Sequence, residues 1–179
     1  MNVENITDYS MVRSSMKNTS DLSKVVIRYA DERDIPALVQ IRLDYLADDF
    51  RPLTDAEKQS FTKKLAAYYG KHLGVDFFAV LACMGADVVT SAFLVIDERP
   101  VNLYFPNGRI GTVLNVYTKQ DWRKQGLASG VMKELLNLAR EKQVSRLSLI
   151  SSEMGKKLYE NLGFQVDDVD YTHMVLFMK

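Results

Sequence analysis

TVLNVYTKQDWRKQGLASGVMKELLNLAREK, residues 112–142, is the stretch that decides the fold of this chain. Its first seven residues, Thr112–Thr118, are rich in Val, Thr and Tyr, which is typical of a buried strand. A polar connector, Lys119–Trp122, follows. Apolar residues then recur at about 100° per residue through positions 127–139, which predicts an amphipathic helix. The stretch therefore predicts a strand that passes through a short loop into a long helix.

The junction between that strand and that helix has the composition of an anion site. The first N–H groups of a helix have no intrahelical partner, and the helix dipole places about half a positive charge there. Arg123 and Lys124 add positive side chains, and small residues let an anion approach the backbone. The small residues are Gly126, Ala128, Ser129 and Gly130. The junction therefore predicts a phosphate or pyrophosphate cradle.

Arg123-x-x-Gly126-x-Ala128 resembles the Q/R-x-x-G-x-G/A signature of the GNAT superfamily of N-acetyltransferases. In that family the loop and helix start hold the pyrophosphate of acetyl-coenzyme A (acetyl-CoA), and the pantetheine arm pairs with the preceding strand. The resemblance implies acetyl-CoA as co-substrate, with no metal. It implies these cofactor-binding residues here: Val116, Tyr117, Thr118, Arg123, Lys124, Gln125, Gly126, Leu127, Ala128, Ser129 and Ser152.

A second motif, residues 158–164, reads LYENLGF and is similar to the YexxGF ending of the last helix in the family. There the tyrosine gives a proton or a hydrogen bond to the departing coenzyme A sulfur, so Tyr159 is the implied catalytic residue. A tyrosine titrates near ~10 and a thiol near ~8.5, so full proton transfer would run slightly uphill. We therefore expect a hydrogen bond that strengthens as charge develops on sulfur. The alternative role for Tyr159 is that of a core tyrosine.

Two alternatives remain open for the general base. A lysine-like amine has a pKa near ~10.4 and must lose a proton before it attacks a thioester. Some GNAT members carry a glutamate on the central strand, but Thr112–Thr118 holds no carboxylate and Asn115 cannot act as a base. A chain of water molecules out to solvent is the favoured route. Asp97 or Glu98, after the third strand, is the alternative.

Two groups of residues are candidates for the acceptor side. An acidic group at the end of the first predicted helix could attract a cationic amine, although such a run is more often a solvated helix end. Its members are Asp44, Asp48 and Asp49. An aromatic group could wall an acceptor pocket, although core packing is the commoner role. Its members are Phe50, Tyr68, Tyr69 and Phe105.

Composition excludes several other classes of protein. The 179 residues carry 23 Lys and Arg against 23 Asp and Glu, and this zero net charge argues against a nucleic-acid partner. Cys83 is alone, so no internal disulfide forms, and His72 and His173 lack the spacing of a metal site. No run is long enough to span a membrane, and the start lacks the apolar core of a signal peptide, so we expect a cytoplasmic protein without a membrane partner.

The remaining patterns predict the order βααβββαβαβ. Residues 1–24 are polar and predict an N-terminal extension, and residues 25–179 predict one domain. The predicted strands are Val25–Tyr29, Phe77–Cys83, Val88–Ile96, Thr112–Thr118, Leu147–Ile150 and Met174–Met178. Helix signals are a cap at Asp34, a capping box of Thr54 with Glu57, and an end marked by Gly70 and Gly74. This order favours an α/β mixed sheet with helices on both faces. The resemblance implies a mostly antiparallel sheet with a splayed central parallel strand pair.

The function we expect is transfer of the acetyl group of acetyl-CoA to a primary amine of an unidentified small molecule. Direct attack in a ternary complex is favoured because the sequence offers no convincing nucleophile for a covalent intermediate. The G-x-G-x-x-G and G-x-x-x-x-G-K-S/T motifs of nucleotide sites are absent. The alternative is a module on the same fold that binds acyl-CoA without chemistry, as a sensor or partner-binding protein. Two assembly states, a monomer and a homodimer, stay open.

Overall fold

A computed structural model describes residues 22–167 and 174–178 of the chain. In these ranges one sheet has the strand order β1-β2-β3-β4-β5, with the first four strands antiparallel and β5 parallel to β4. The strands are β1 Val25–Tyr29, β2 Phe77–Met84, β3 Asp87–Glu98, β4 Arg109–Thr118 and β5 Arg146–Ser148. The α-helices are α1 Ile35–Asp49, α2 Asp55–His72, α3 Leu127–Glu141 and α4 Glu153–Asn161. The predicted mixed, mostly antiparallel sheet is confirmed.

The two parallel strands separate soon after they meet. Ile110, Gly111 and Thr112 of β4 lie opposite Arg146–Ser148 of β5, and the pairing stops there. β4 continues from Val113 to Thr118 with β3 on its other edge. Within the described ranges, the edge of β4 that faces away from β3 therefore has no strand partner over these residues. This separation is the predicted splayed pair.

Two apolar clusters hold helices on the two faces of the sheet. α3 packs on one face, and α1 and α2 pack on the other. Tyr159 of α4, and Leu162 directly after that helix, contact the cluster on the α3 face. Alternation along β2 divides its residues between the clusters, with Val80 and Ala82 in the first and Ala79, Leu81 and Cys83 in the second. Burial on both faces explains why the strand reads as a continuous apolar run.

Several local signals lie where the sequence predicts them. Thr54 accepts from the Glu57 amide, and the Glu57 carboxylate accepts from the Thr54 amide, which completes the capping box. The turn at Asn107 and Gly108 leads into β4, with Gly108 at φ +74. Gly163 ends the last helix at φ +93, and Phe164 packs edge-on against Tyr159 with ring centres 6.0 Å apart.

Three local predictions are wrong. Asp34 precedes α1 but makes no cap, because Arg28 binds its carboxylate at 2.6 and 2.7 Å. Gly70 does not end α2, which continues to His72 because helical backbone accommodates glycine there. Residues 174–178 form no strand, and their side chains are 72–90% exposed. The prediction failed because β propensity alone does not supply the hydrogen-bonded neighbour that defines a strand. Of the predicted extension, residues 1–21 lie outside the described residues, and Leu22–Lys24 form a 3-10 turn before β1.

Gly111 is the point of closest approach in the parallel pair, and Gly111→Ala is expected to lower the free energy of unfolding by about 1–3 kcal/mol. A Cβ at Gly111 would lie 2.5 Å from Leu147 Cδ2 and 2.9 Å from Leu94 Cδ1. The same substitution at Gly70, where a Cβ meets nothing within 4 Å, is the matched control. Because alanine is the better helix former, Gly70→Ala is expected to add about 0.5–1 kcal/mol. Urea unfolding measures both changes, and equal effects at the two positions would contradict the packing argument.

Candidate active site

The loop between β4 and α3 presents backbone N–H groups outward. Lys124 at φ +60 and Gly126 at φ +80 are both in the left-handed region, and Gly126 immediately precedes α3. The Gly130 amide donates to the Gly126 carbonyl at 3.0 Å, which is the first i to i−4 bond of the helix. The amides of residues 127–129 precede that bond, so helix geometry leaves them without an intrahelical acceptor. Gly126 adds no side-chain cap. This helix start can donate to an anion.

The two glycines of this junction serve different purposes. A Cβ on Gly126 would meet nothing within 4 Å, so its positive φ rather than space selects glycine. A Cβ on Gly130 would lie 2.5 Å from Ile27 Cδ1 on β1. The expectation that Gly130 opens the backbone to an anion is therefore wrong, because its missing side chain makes room for β1.

Arg123 turns back toward the sheet instead of outward. Its Nε donates to the Thr118 carbonyl at 2.9 Å, and its Nη2 donates to Asp48 Oδ2 at 2.8 Å. Its guanidinium carbon lies 5.7 Å from the ring centre of Tyr117. The Tyr117 hydroxyl donates to the same Asp48 oxygen at 3.0 Å. Burial, together with this bond, raises the pKa of Tyr117 to about 12. Arg123 therefore ties the loop to the end of α1.

The other predicted loop residues present different groups. Gln125 donates from its side chain to the Asp121 carbonyl at 3.1 Å. Leu127 is buried in the cluster beneath α3, so only its backbone can face a ligand. Ala128 and Ser129 are half-buried, and the Lys124 side chain is exposed. In this loop the groups open to a diphosphate are the amides at the start of α3 and the Lys124 ammonium.

β4 carries an irregularity just before the predicted pantetheine strand. The register with β3 shifts between Ser91 and Phe93, and Asn115 takes the left-handed conformation at φ +49 although only 5% of it is exposed. Asn115 Nδ2 donates to Ser91 Oγ at 3.0 Å, and that hydroxyl donates to the Asn115 carbonyl at 3.2 Å. Asparagine tolerates this conformation better than most residues. This kink directly precedes residues 116–118, the predicted pantetheine strand.

Tyr159 is half-buried, and within the described residues its hydroxyl has no hydrogen-bond partner. Burial raises its pKa above the ordinary value, and Tyr45 on α1 raises it further. The phenol is therefore protonated at neutral pH and can donate. A cleft of about 680 Å³ beside it lies between β5 and α4, and Tyr159 is part of its lining.

Other predicted residues lie away from this centre or hold other partners. Ser152 caps α4 by accepting from the Gly155 amide at 3.2 Å, and its place in cofactor binding stays a prediction. Asp97 and Glu98 lie opposite Ile110 and Arg109, at the end of β4 remote from the loop.

The acidic group on α1 is hydrogen-bonded throughout. Gln40 donates to Asp44 at 2.7 Å, and the Tyr45 hydroxyl donates to Asp49 at 2.9 Å. Asp48 accepts from Tyr117 and Arg123, as described above. These carboxylates fix the end of α1, so they are not simply solvated. Of the aromatic group, Tyr69 is buried, Tyr68 packs edge-on against it, and Phe50 is 73% exposed.

Sequence reasoning missed one residue of the site region, Arg42. It lies on α1, half-buried, and donates from Nη1 to Asn115 Oδ1 at 3.1 Å. Its guanidinium carbon is 5.1 Å from the ring centre of Tyr45. Since 73 positions separate Arg42 from Asn115, no local pattern signals this contact. A charged residue between the apolar residues Ile41 and Leu43 was the only available signal.

The described residues lack two further features, a cluster of metal ligands and a membrane-spanning helix. In residues 22–167 and 174–178, no group of three or more His, Cys, Asp or Glu side chains is placed to hold a metal ion. No helix in those ranges combines the length and apolar character needed to cross a membrane.

Comparisons with known proteins agree with this geometry. Residues 77–166, from β2 through α4, match the family model of the acetyltransferase (GNAT) domain. The L-amino acid N-acetyltransferase AaaT of Escherichia coli (strain K12) is 21% identical over 158 residues, covering 82% of this chain and 86% of the relative. The crystal structure of a predicted acetyltransferase from Clostridium acetobutylicum, with acetyl-CoA, is 27% identical with a TM-score of 0.73, over 84% of this chain and 96% of that one.

A third relative shows the fold alone. Glucosamine-6-phosphate N-acetyltransferase from Arabidopsis thaliana is 14% identical with a TM-score of 0.62, over 84% of this chain and 97% of that one. The family match spans half of the chain, and it contains both the loop and Tyr159. The chain therefore belongs to the GNAT family, and it is an acyltransferase.

Proposed function

We propose that this protein transfers the acetyl group of acetyl-CoA to a primary amine of a small molecule, by direct attack in a ternary complex. One observation carries the proposal. The unpaired edge of β4 leads through the loop to the N–H groups at the start of α3. An extended arm with amide groups, followed by a diphosphate, complements these two surfaces in that order. The acetyl-CoA in the Clostridium acetobutylicum relative supports this choice of donor.

In this proposal Tyr159 acts on the leaving sulfur. Acetyl-CoA supplies an activated thioester carbonyl. The bond between amine nitrogen and carbonyl carbon forms, the carbon–sulfur bond breaks, and the electron pair leaves with sulfur. The Tyr159 hydroxyl, which lacks a described protein partner, donates a hydrogen bond to that sulfur. The bond strengthens as the sulfur becomes anionic, so it stabilises the transition state more than the substrate.

The proton of the amine leaves by water in this proposal. Asp97 pairs with Ile110, five positions before Asn115, and strands rise roughly 3.3 Å per residue, so the carboxylate lies roughly 16 Å along β4 from the kink. Asp97 also lies 3.8 Å from the Arg99 guanidinium. The separation of roughly 16 Å from the kink favours a water chain over Asp97 or Glu98 as the route for the proton of the amine.

The pH profile is expected to report the amine and not Tyr159. Because burial raises the pKa of Tyr159, its hydroxyl keeps the proton needed for donation beyond pH ~10. Below the pKa of the amine, kcat/KM should rise about tenfold per pH unit as free base forms. Steady-state rates between pH 6 and 10 check this. A fall in rate below pH 9 would assign the proton on sulfur to a different group.

Free-thiol release tests the whole proposal. The protein is mixed with acetyl-CoA and a panel of amines that includes amino acids, amino sugars, polyamines and aminoglycosides. Calorimetry measures cofactor binding separately. Thiol released only when an amine is present supports the proposal. Binding of acetyl-CoA without thiol release from any amine would favour the non-catalytic acyl-CoA-binding module. Failure to bind the cofactor would refute both.

A further inference from the structure

Arg42 is a half-buried cation that has no carboxylate partner among the described residues. In the described part of the chain its protein contacts are Nη1 to Asn115 Oδ1 at 3.1 Å and the face of the Tyr45 ring. No aspartate or glutamate in that part forms an ion pair with it. Other arginines of the chain do have acidic partners, among them Arg28, Arg33, Arg51, Arg99 and Arg123. A guanidinium has five N–H donors, so most of those of Arg42 remain for a ligand.

Asn115 on β4 fixes the orientation of Arg42. Ser91 Oγ donates to the Asn115 carbonyl and accepts from Asn115 Nδ2, so the amide oxygen of Asn115 points away from Ser91. That oxygen accepts the single bond from Arg42. Asn115 is buried and belongs to the kink of β4, which is a rigid support. Nη1 of the guanidinium is therefore anchored, and the other N–H groups of Arg42 have no hydrogen-bond partner among the described residues.

The position of Arg42 is next to the proposed reaction centre. Tyr45, beside Arg42, is also close enough to Tyr159 to raise its pKa. Asn115, which anchors Arg42, directly precedes the strand 116–118 proposed for the pantetheine arm. Arg42 thus lies beside the start of the strand segment proposed for the arm that carries the thioester, on the same helix as the Tyr45 that acts on Tyr159. An acceptor amine must reach the same place.

The surroundings of Arg42 favour a small, singly charged anion. The Arg42 guanidinium carbon lies 5.1 Å from the ring centre of Tyr45, and its charge opposes the rise in pKa that burial causes at Tyr69, so aromatic rings border Arg42. A planar guanidinium matches a carboxylate through two parallel hydrogen bonds. Asp48 is paired with Arg123. Asp44 and Asp49, however, accept from the neutral groups of Gln40 and Tyr45 and keep their charge. That charge disfavours a dianion such as a phosphate and attracts an ammonium group. Arg42 on one side and the carboxylates of α1 on the other therefore complement a zwitterion, which carries one carboxylate and one ammonium group.

We propose that the acceptor is an amino acid and that Arg42 binds its carboxylate. The inference rests on the proposed acetyl transfer, and it adds the chemical class of the acceptor. The carboxylate anchors the acceptor on Arg42, and its amine is then directed at the thioester carbonyl. Asn115 acts as a positioning residue, because it holds Arg42 and does not touch the acceptor.

The test compares each L-amino acid of a panel with its own carboxamide, which keeps the amine and removes the negative charge. Rates are corrected for the fraction of each amine present as free base. For the preferred amino acid, kcat/KM should exceed that of its carboxamide by roughly 10- to 100-fold, mostly through KM, as expected for charge-assisted hydrogen bonds. Arg42→Gln should remove most of that preference. Arg42→Lys should keep part of it, since it retains the charge and loses the planar fork.

Three outcomes would overturn the inference. They are equal use of amino acids and carboxamides by the unaltered protein, an undiminished preference in Arg42→Gln, and better use of O-phosphoethanolamine than of any amino acid. Thermal unfolding of each variant shows that it is folded, and a merely structural role for Arg42 would lower both rates of a pair together.

The carboxylate site can still be tested if no amine releases thiol, a result that would refute the proposed transfer. Calorimetry then measures binding of each amino acid and carboxamide pair to the protein saturated with coenzyme A. Selective binding of amino acids that Arg42→Gln weakens at least tenfold would support the carboxylate site without the reaction. Absence of selective binding would refute the site as well.

Discussion

Tyr159→Phe is expected to lower kcat by roughly 10²- to 10⁴-fold, the range of a positioned proton or hydrogen-bond donor. The half-buried Tyr159 hydroxyl has no described partner, and burial raises its pKa, so in the proposed mechanism it is protonated and free to donate to the leaving sulfur. Phenylalanine retains the ring that packs against Phe164 and removes only the hydroxyl. Steady-state thiol release and calorimetry with coenzyme A measure the two effects separately. We expect coenzyme A affinity to change little.

Tyr104→Phe is the matched control for that experiment. Tyr104 is 71% exposed and lies in the segment between β3 and β4, so loss of its hydroxyl should leave turnover within about twofold. Unchanged turnover in Tyr159→Phe would remove Tyr159 from the mechanism. A change confined to coenzyme A affinity would make it a cofactor contact.

Ser129→Glu is expected to weaken coenzyme A binding by about 10- to 100-fold while the protein becomes no less stable. Position 129 is the third residue of α3, where a carboxylate interacts favourably with the helix dipole. The same charge repels a diphosphate bound to the amides of residues 127–129, and a pair of charges ~6 Å apart interacts by roughly 1–3 kcal/mol at the effective dielectric constants of protein surfaces. Calorimetry measures the affinity, and thermal unfolding measures the stability.

Ser129→Gln separates charge from size in this experiment. Glutamine has nearly the same shape as glutamate without its charge, so it should lower affinity by less than about fivefold. The effect of glutamate should also shrink as salt is raised from 50 to 500 mM, because screening weakens charge repulsion. Equal affinities for the two variants would place the diphosphate away from the start of α3, and the proposed cofactor site would then be wrong.

Features coded by neighbouring residues could be predicted from the sequence. The capping box of Thr54 and Glu57, the turn at Gly108 and the ending of α4 at Gly163 each depend on residues within a few positions. The same holds for the passage from β4 into α3. Periodicity identified the apolar face of α3, because a face of a helix recurs along the chain.

Features that need a distant partner were predicted poorly. Nothing in the sequence indicated that Asp48, 75 positions away, accepts from the guanidinium of Arg123, whose place in cofactor binding stays a prediction. Gly130 suggested access to the backbone, but Ile27 of β1 occupies the space beside it. The apolar run of residues 174–178 suggested a strand, but these residues are exposed and unpaired in the described structure.

By itself the sequence determined the order of helices and strands from β1 to α4, the polar loop with a helix start behind it, and the tyrosine on the last helix. These features depend on short-range backbone preferences and on the periodicity of apolar residues, and both can be read from consecutive residues. Only the tertiary structure decided that the parallel strands part after Thr112, that Arg123 turns to α1, and that Arg42 lies over the kink at Asn115. Such contacts join residues far apart in the chain, so packing between elements sets them and no local pattern does.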